Sequence, residues 1–546
     1  MKGDEYVAQI ALINGEVITV NRQDEVFEAC LVEGNKIIAV GTSDEIVQQM
    51  APSATVLDLE GKSVLPGLID AHMHLYLFGN TLINLDCKEP FIHSIDELLQ
   101  KLSEIVKETE SGKVIRVFGF NELKVKEKRY PTIQELDSLT IEHPIIITRT
   151  CGHIGMVNSA TLDLLSIDEE TPDPLGGTIE KDDKGKLTGR LIENAFLNFS
   201  QRIPYSEEEM FEALEKAQEQ LFMYGITSVH DAGGFDEDSF RIMQIASQQK
   251  HIKTRIYAMI GTLNDCEHFT KNMLTTGVVT NTGNEFFKIG PAKLFTDGSS
   301  TGPTIATREP YTSDKTNYGY LMYTEEELYS IFTKAHQGGY QITVHAQGDK
   351  AIEQYLSVVE RLLSEYPRAD HRHRVEHLGV CPPDLQEKAK MLKVIPILNP
   401  SFPYEFGESY IHNYGERTKY MYAANDLLAK DIIVAAGSDA PITTVNPFVG
   451  IYMAVTRNTK EGTVFGEQQK ISLMDAIRMY TYNAAYSSFD EEIKGSIEVG
   501  KLADMAILDT SILNCSIEEL PKIKAAATML DGKIVYTQSE VKELSK

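Results

Sequence analysis

The chain has 546 residues, of which 42% are hydrophobic, enough to bury large cores and too many for a mostly disordered chain. Its 80 acidic residues against 52 Lys and Arg give a formal net charge of -28, which would repel a nucleic-acid backbone and an anionic membrane surface. Six cysteines without a C-x-x-C pair, acidic residues (Asp4, Glu5) ahead of the first apolar run, and no apolar stretch near the ~20 residues that span a bilayer predict a cytoplasmic protein without nucleic-acid or membrane partners.

The first 65 residues read as short strands in IALINGEVITV, ACLVEGNKIIAVG and TVLDLEGKSVLPG, each folded as a hairpin about Asn14-Gly15, Gly34-Asn35 or Glu60-Gly61. A first strand of a second, alternating β and α region follows at SVLPGLID (63 to 70). The next strand of that region comes only at ITSVHDAG (226 to 233). The gap holds extra strands at VIRVFGF and PIIITRT and a hairpin, GGTIEKDDKGKLTGRL, and is read as an inserted α+β subdomain at about 80–205 over the mouth of a barrel.

Helix starts are announced by capping boxes, Ser206 with Glu209 and Thr324 with Glu327, and the second of these helices stops near Gly338-Gly339. Six more strands follow the 226 to 233 strand, at 254 to 261, 289 to 298, 340 to 346, 373 to 379, 393 to 399 and 431 to 439. Eight strands alternating with helices predict a (β/α)₈ TIM-type barrel with its chemistry at the C-terminal strand ends. The β texture returns in SIEVGKLADMAILD and AATMLDGKIVYT, so both termini are read as one discontinuous β-sandwich. The expected boundaries are 1–63 and 495–546 for the sandwich and 64–494 for the barrel with its insert.

His72 and His74 form an H-x-H pair at the end of the first barrel strand, and the period of two points both imidazoles to one side, as a metal requires. The strand count puts Lys293, His345, His377 and Asp439 at other strand ends. Singly, a histidine in VHA is a packed residue more often than a ligand, and an aspartate after Gly-Ser more often a turn residue. Their joint placement at one end of the barrel is the specific signal.

LPGLIDAHMHL, VEHLG, AAGSDAP and SIEVGKLADMAILD together resemble the metal-dependent amidohydrolase superfamily over nearly the whole chain. TCGHIGMVNSATL, AKLFTDGSS with Pro310-Tyr311, and the long insert are similar to its N-substituted formamide deformylase type. The resemblance implies metal ligation by His72, His74, His345, His377 and Asp439, with Lys293 as a carboxylated bridging ligand between two divalent ions. Zn²⁺ suits the imidazole-rich set best. Burial near metal charge would lower the Lys293 pKa and let the neutral amine take up CO₂. Lys288 is the rival, with opposite strand parity and near the wrong strand end.

His153 and Arg308 are read as substrate-binding candidates, against a structural role for each. His230-Asp231 is read either as support for the ligands or as a helix cap, and residues 297 to 320 as a mobile lid or a rigid loop. The expected reaction is hydrolysis of a non-peptide C–N bond in a small molecule, an amide or N-substituted formamide, with Asp439 moving the proton. A one-metal deaminase and a cyclic amide or lactone hydrolase are the alternatives on the same barrel. A deaminase would want a glutamate after the fifth strand, where the sequence has Ala346, Gln347, Gly348 and Asp349. The non-enzymatic alternative is an oligomeric scaffold, and the sandwich edges at the termini offer a homodimer surface.

Overall fold

In the computed structural model, residues 8–87, 92–150, 154–196 and 202–538 are described. Two units are present, one of Met1–Leu77 with Ala217–Lys546 and one of Phe78–Lys216.

The first unit contains an all-parallel eight-stranded sheet. Its strands, in spatial and chain order, are Leu68–Met73, Ile226–Asp231, Arg255–Ile260, Phe287–Phe295, Ile342–Ala346, Arg374–His377, Ile395–Leu398 and Ala435–Ala436. The predicted barrel strands therefore form in the predicted sequence. Closure between the last and first strands runs through the residues just beyond the short eighth strand. Asp439 N–H donates to the His72 carbonyl (2.7 Å), His74 N–H to the Ala440 carbonyl (2.8 Å), and Ser438 N–H to the Asp70 carboxylate (3.0 Å).

The helices owe their placement to local sequence. Thr324 and Glu327 make the reciprocal capping box that opens Glu325–Gln337, and Leu328, Ile331, Phe332 and Ala335 form its buried stripe. Burial of each large apolar side chain of such a stripe contributes about 1.5–3 kcal/mol. Ser206 and Glu209 exchange the same pair of bonds ahead of Glu207–Met223.

Two corrections concern the N-terminal turns. SVLPGLID is two strands, not one. Ser63–Pro66 belongs to the sandwich, where it pairs with Met505–Leu508 and Glu16–Ile18, and only Leu68–Met73 enters the barrel. Gly67 makes the change of sheet, at a point where a Cβ would lie 2.2 Å from the Thr227 hydroxyl oxygen. The turns at Asn14-Gly15 and Glu60-Gly61 do not make hairpins. Gln9–Ile13 pairs with Ala29–Glu33 and Thr55–Asp58 in a four-stranded sheet, while Glu16–Ile18 and Ser63–Pro66 lie in the six-stranded one. Asn14, Glu60 and Gly61 do adopt positive φ, so the turn chemistry is as read, but it carries the chain between sheets. Gly34-Asn35 and Asp531-Gly532 are true hairpin turns.

The six-stranded sheet runs Lys533–Thr537, Ala525–Leu530, Met505–Leu508, Ser63–Pro66, Glu16–Ile18, Val26–Phe27, so strands from both ends of the chain share it. Leu12, Val32, Leu57, Val64, Ile507 and Met529 are among the residues of the core between its two sheets.

The second unit has a mixed six-stranded sheet ordered Gly177–Lys181, Leu187–Glu193, Ile154–Val157, Ile145–Arg149, Ile115–Phe120, Leu85–Asp86. Its core joins Val117, Ile145 and Ile147 to Leu98 and Leu102 of the helix Ile95–Glu108 and Leu162 of the helix Ser159–Leu165. Among the described residues no helix is long and apolar enough to cross a membrane.

Candidate active site

His72 and His74 leave the first barrel strand on one face, with ring centroids 5.8 Å apart. Both turn Nε2 toward the same oxygen of Asp439, at 3.4 Å from His72 and 3.3 Å from His74. Asp439 reaches them because its backbone sits at φ 59°, in the left-handed region that swings its carboxylate over the strand end. Among the described residues, His72, His74 and Asp439 are a group whose donor atoms all lie within 4.8 Å of one another.

His377 joins this group from the sixth strand, its ring 4.7 Å from His72 and 4.6 Å from His345 of the fifth strand. In the run Arg374–His377, alternation would place Glu376 and His377 on opposite faces. His377 has φ 71°, which breaks the alternation and lets both side chains face the site.

Every one of these imidazoles has one ring nitrogen tied to a protein acceptor. His72 Nδ1 meets Glu376 Oε2 at 2.6 Å, His74 Nδ1 the Gly233 carbonyl at 2.6 Å, His377 Nδ1 the Asn399 Oδ1 at 2.7 Å, and His345 Nε2 the Gly298 carbonyl at 2.9 Å. Each acceptor fixes a tautomer and turns the remaining nitrogen into the free lone pair. Asn399 is held in turn by donating to the Gly437 carbonyl at 3.0 Å.

Lys293 is completely buried and its ammonium donates to the Ala232 carbonyl at 3.0 Å. Burial lowers its pKa, against the attraction of Glu376 and Asp439. Lys288 lies elsewhere, bonded to Asp490 (2.5 Å) and the Ser488 carbonyl, as its opposite parity requires. Burial also pushes His345 down to about 4 and His377 well below the usual imidazole range, so both are neutral at physiological pH. Burial would raise Asp439, but the imidazoles of His72 and His74 beside it hold it well below the ordinary carboxylate range.

The other predicted residues fall out as follows. Asp231 accepts from Leu75 N–H (2.9 Å) and Gly233 N–H (3.0 Å), so it fixes the turn whose Gly233 carbonyl orients His74. His230 accepts from Arg374 at 2.9 Å. The Arg308 guanidinium is engaged by Glu353 (2.9 Å) and Asp384 (2.8 Å), which tie it to two outer helices. Within residues 297 to 320, the first part is anchored, with Ile305, Ala306 and Tyr311 buried and Asp297 accepting from Ala306, Gln347 and Gly348, while 312 to 320 are largely exposed. His153 lies outside the described residues.

Glu376, Arg374, Asn399 and Asp70 carry roles that the sequence reading missed. Glu376 stands beside a recognised ligand candidate, and regular alternation would turn the two side chains to opposite faces. Asn399 follows an apolar strand as an ordinary turn residue would, and only its contact to His377 marks it.

A divalent metal ion fits this donor set. His72 Nε2 and Asp439 Oδ1 are buried without a hydrogen-bond partner, and each such orphan costs about 1–3 kcal/mol unless satisfied. Two orphaned lone-pair atoms of one imidazole and one carboxylate, with a second imidazole at the same oxygen, make a cation the natural complement. The fold and this donor set define the class of barrel hydrolases that work with a divalent metal.

The amidohydrolase family model matches residues 55–536. The N-substituted formamide deformylase of Arthrobacter pascens is 29% identical, over 97% of this chain and 98% of that protein. The putative amidohydrolase YtcJ of Bacillus subtilis is 29% identical, over 96% and 99%. The crystal structure of an uncharacterized metal-dependent hydrolase from Pyrococcus horikoshii superposes with a TM-score of 0.77 at 27% identity, covering 93% of this chain and 99% of that one. The chain belongs to the amidohydrolase family, and it is a hydrolase acting on carbon–nitrogen bonds other than peptide bonds.

Proposed function

We propose that the protein hydrolyses an N-substituted formamide or a related small amide, using two divalent ions, Zn²⁺ by preference. His72, His74 and Asp439 would hold one ion, His345 and His377 the other, with Lys293 as a carbamate bridging them. When bound, the ions supply a Lewis acid that lowers the pKa of a water and polarises the substrate carbonyl. The chain's own groups do the rest. The acceptors on the four imidazoles keep their free nitrogens aimed inward, which removes the cost of reorganising them during turnover. Asp439 takes the proton of the attacking water as oxygen bonds to the carbonyl carbon, then delivers it to the nitrogen as the C–N bond breaks, leaving a carboxylic acid and an amine.

The observation that carries this reading is the pair of buried, unpartnered atoms, His72 Nε2 and Asp439 Oδ1, at the C-terminal end of the barrel strands. The relative named a formamide deformylase, alike over nearly both full lengths, supports the choice of acyl group.

The test is a screen of N-formyl amines, N-acyl amino acids, cyclic amides and lactones on metal-replete protein. Turnover of N-formyl amines with release of formate and free amine is the expected result. Turnover confined to lactones or cyclic amides would replace the formamide assignment, and none on any class would refute it.

A further inference from the structure

The four imidazoles of the cluster are oriented by acceptors of different charge. His74, His345 and His377 face a backbone carbonyl, a backbone carbonyl and a side-chain amide, all neutral. His72 faces a carboxylate, Glu376, at 2.6 Å.

That carboxylate is fully buried and completely bonded. Oε1 accepts from Arg374 Nε (2.9 Å) and the Thr343 hydroxyl (2.6 Å), while Oε2 accepts from Arg374 Nη2 (2.9 Å) and His72 Nδ1. Arg374 has no exposed surface either, and its other bonds reach His230 Nδ1 (2.9 Å) and the Ala71 carbonyl (2.7 Å). One ion pair therefore links the first, second, fifth and sixth barrel strands just beneath His72. A buried ion pair is weak as a device for stability, since apolar packing of equal volume serves as well. Here both oxygens of the pair are filled, so its remaining reach is into His72.

Resting on the metal assignment above, we propose that Glu376 is a positioning residue that makes His72 the strongest donor of the cluster. The ion on His72, His74 and Asp439 is consequently the first to bind and the last to leave. A carboxylate at Nδ1 draws that proton toward itself, raises electron density at Nε2 and fixes the Nδ1–H tautomer, whereas a neutral carbonyl or amide does this more weakly. Arg374 keeps the carboxylate ionised and in register.

Full-length protein loaded with Zn²⁺ or Co²⁺ and titrated with a competing chelator gives the test, read as metal retained. Glu376→Gln keeps the shape and removes the charge, and should weaken retention of the tightest ion about 10- to 100-fold. Asn399→Ala, which removes the neutral partner of His377, should leave that ion's retention unchanged. A second measurement needs no variant: in partly stripped wild-type crystals, anomalous density should remain at His72, His74 and Asp439 after any other is lost. Equal retention in Glu376→Gln and wild type, or residual density at His345 and His377 instead, would overturn the proposal alone. A wild-type protein that retains no ion under any loading would take down the metal assignment, and the proposal with it.

Discussion

The fold carries its own acid sensitivity in three histidines outside the active site. His371 Nδ1 accepts from His373 N–H (2.9 Å) and its Nε2–H donates to the Leu392 carbonyl (3.0 Å). His373 Nδ1 accepts from Ile342 N–H (3.2 Å), and its Nε2–H donates to His336 Nδ1 (2.9 Å). His336 completes the chain by donating to the Tyr366 carbonyl (2.8 Å). Each ring has one acceptor and one donor in use, so none takes a proton without breaking a bond. Burial lowers all three, with Arg368 adding repulsion, and His371 falls from 6.5 to about 4. A folded pKa below the unfolded one means that the unfolded chain binds the extra proton. The stability is thus fully present above about pH 6.5 and is lost as pH falls toward 4. At about 1.4 kcal/mol per pH unit, His371 alone accounts for roughly 3 kcal/mol over that window. His371→Asn keeps an acceptor for His373 N–H but loses the bond to Leu392, and should cost about 1–2 kcal/mol at neutral pH. It also deletes the titration, so its deficit should shrink by about 1.4 kcal/mol per pH unit below 6.5 and reverse between about pH 5 and 6. Urea unfolding of metal-replete wild type and variant across this range reads the difference. Two stability curves that stay parallel down to about pH 4.5 would refute the reasoning.

Asp439→Asn should keep the fold, by circular dichroism, and lower turnover roughly 10²- to 10⁴-fold, whereas a rate within a few-fold of wild type would place the proton transfer elsewhere. Lys293→Ala should lose bound metal and most activity, with partial rescue by a short carboxylic acid. Full metal content and turnover in that variant would exclude a bridging carbamate. Gly437 sits at the barrel seam, where a Cβ would lie 2.3 Å from His72 N, so Gly437→Ala must part the first and last strands. It should cost about 1–3 kcal/mol or more and lower metal content, and a wild-type melting temperature with full metal content would contradict the seam described.

The barrel was legible because eight apolar runs alternate with capped helices, a pattern set by local periodicity and by residues such as Thr324 and Glu327. The H-x-H pair was legible for the same reason, since parity alone puts His72 and His74 on one face. What parity could not reveal was Glu376, because His377 departs from it with φ 71°. Asn399 and Asp70 work through contacts to residues far along the chain, at His377 and at the Ser438 amide, and no local signal marks such partners. The destination of the turns at Asn14-Gly15 and Glu60-Gly61 was hidden likewise. Turn chemistry sets a reversal, while packing decides which sheet receives the strand. Arg308 was legible only as a charged residue in a loop near the strand ends, and the partners of its guanidinium, Glu353 and Asp384, lie on helices that no local signal connects to it.

The central claim, that hydrolysis depends on metal held by the His72, His74 and Asp439 end of the barrel, meets its most direct test in stripping and reconstitution. Protein verified as metal-free should not hydrolyse an N-substituted formamide, and activity should return in proportion to Zn²⁺ bound as the ion is added back. Undiminished turnover by the verified metal-free protein would contradict the account.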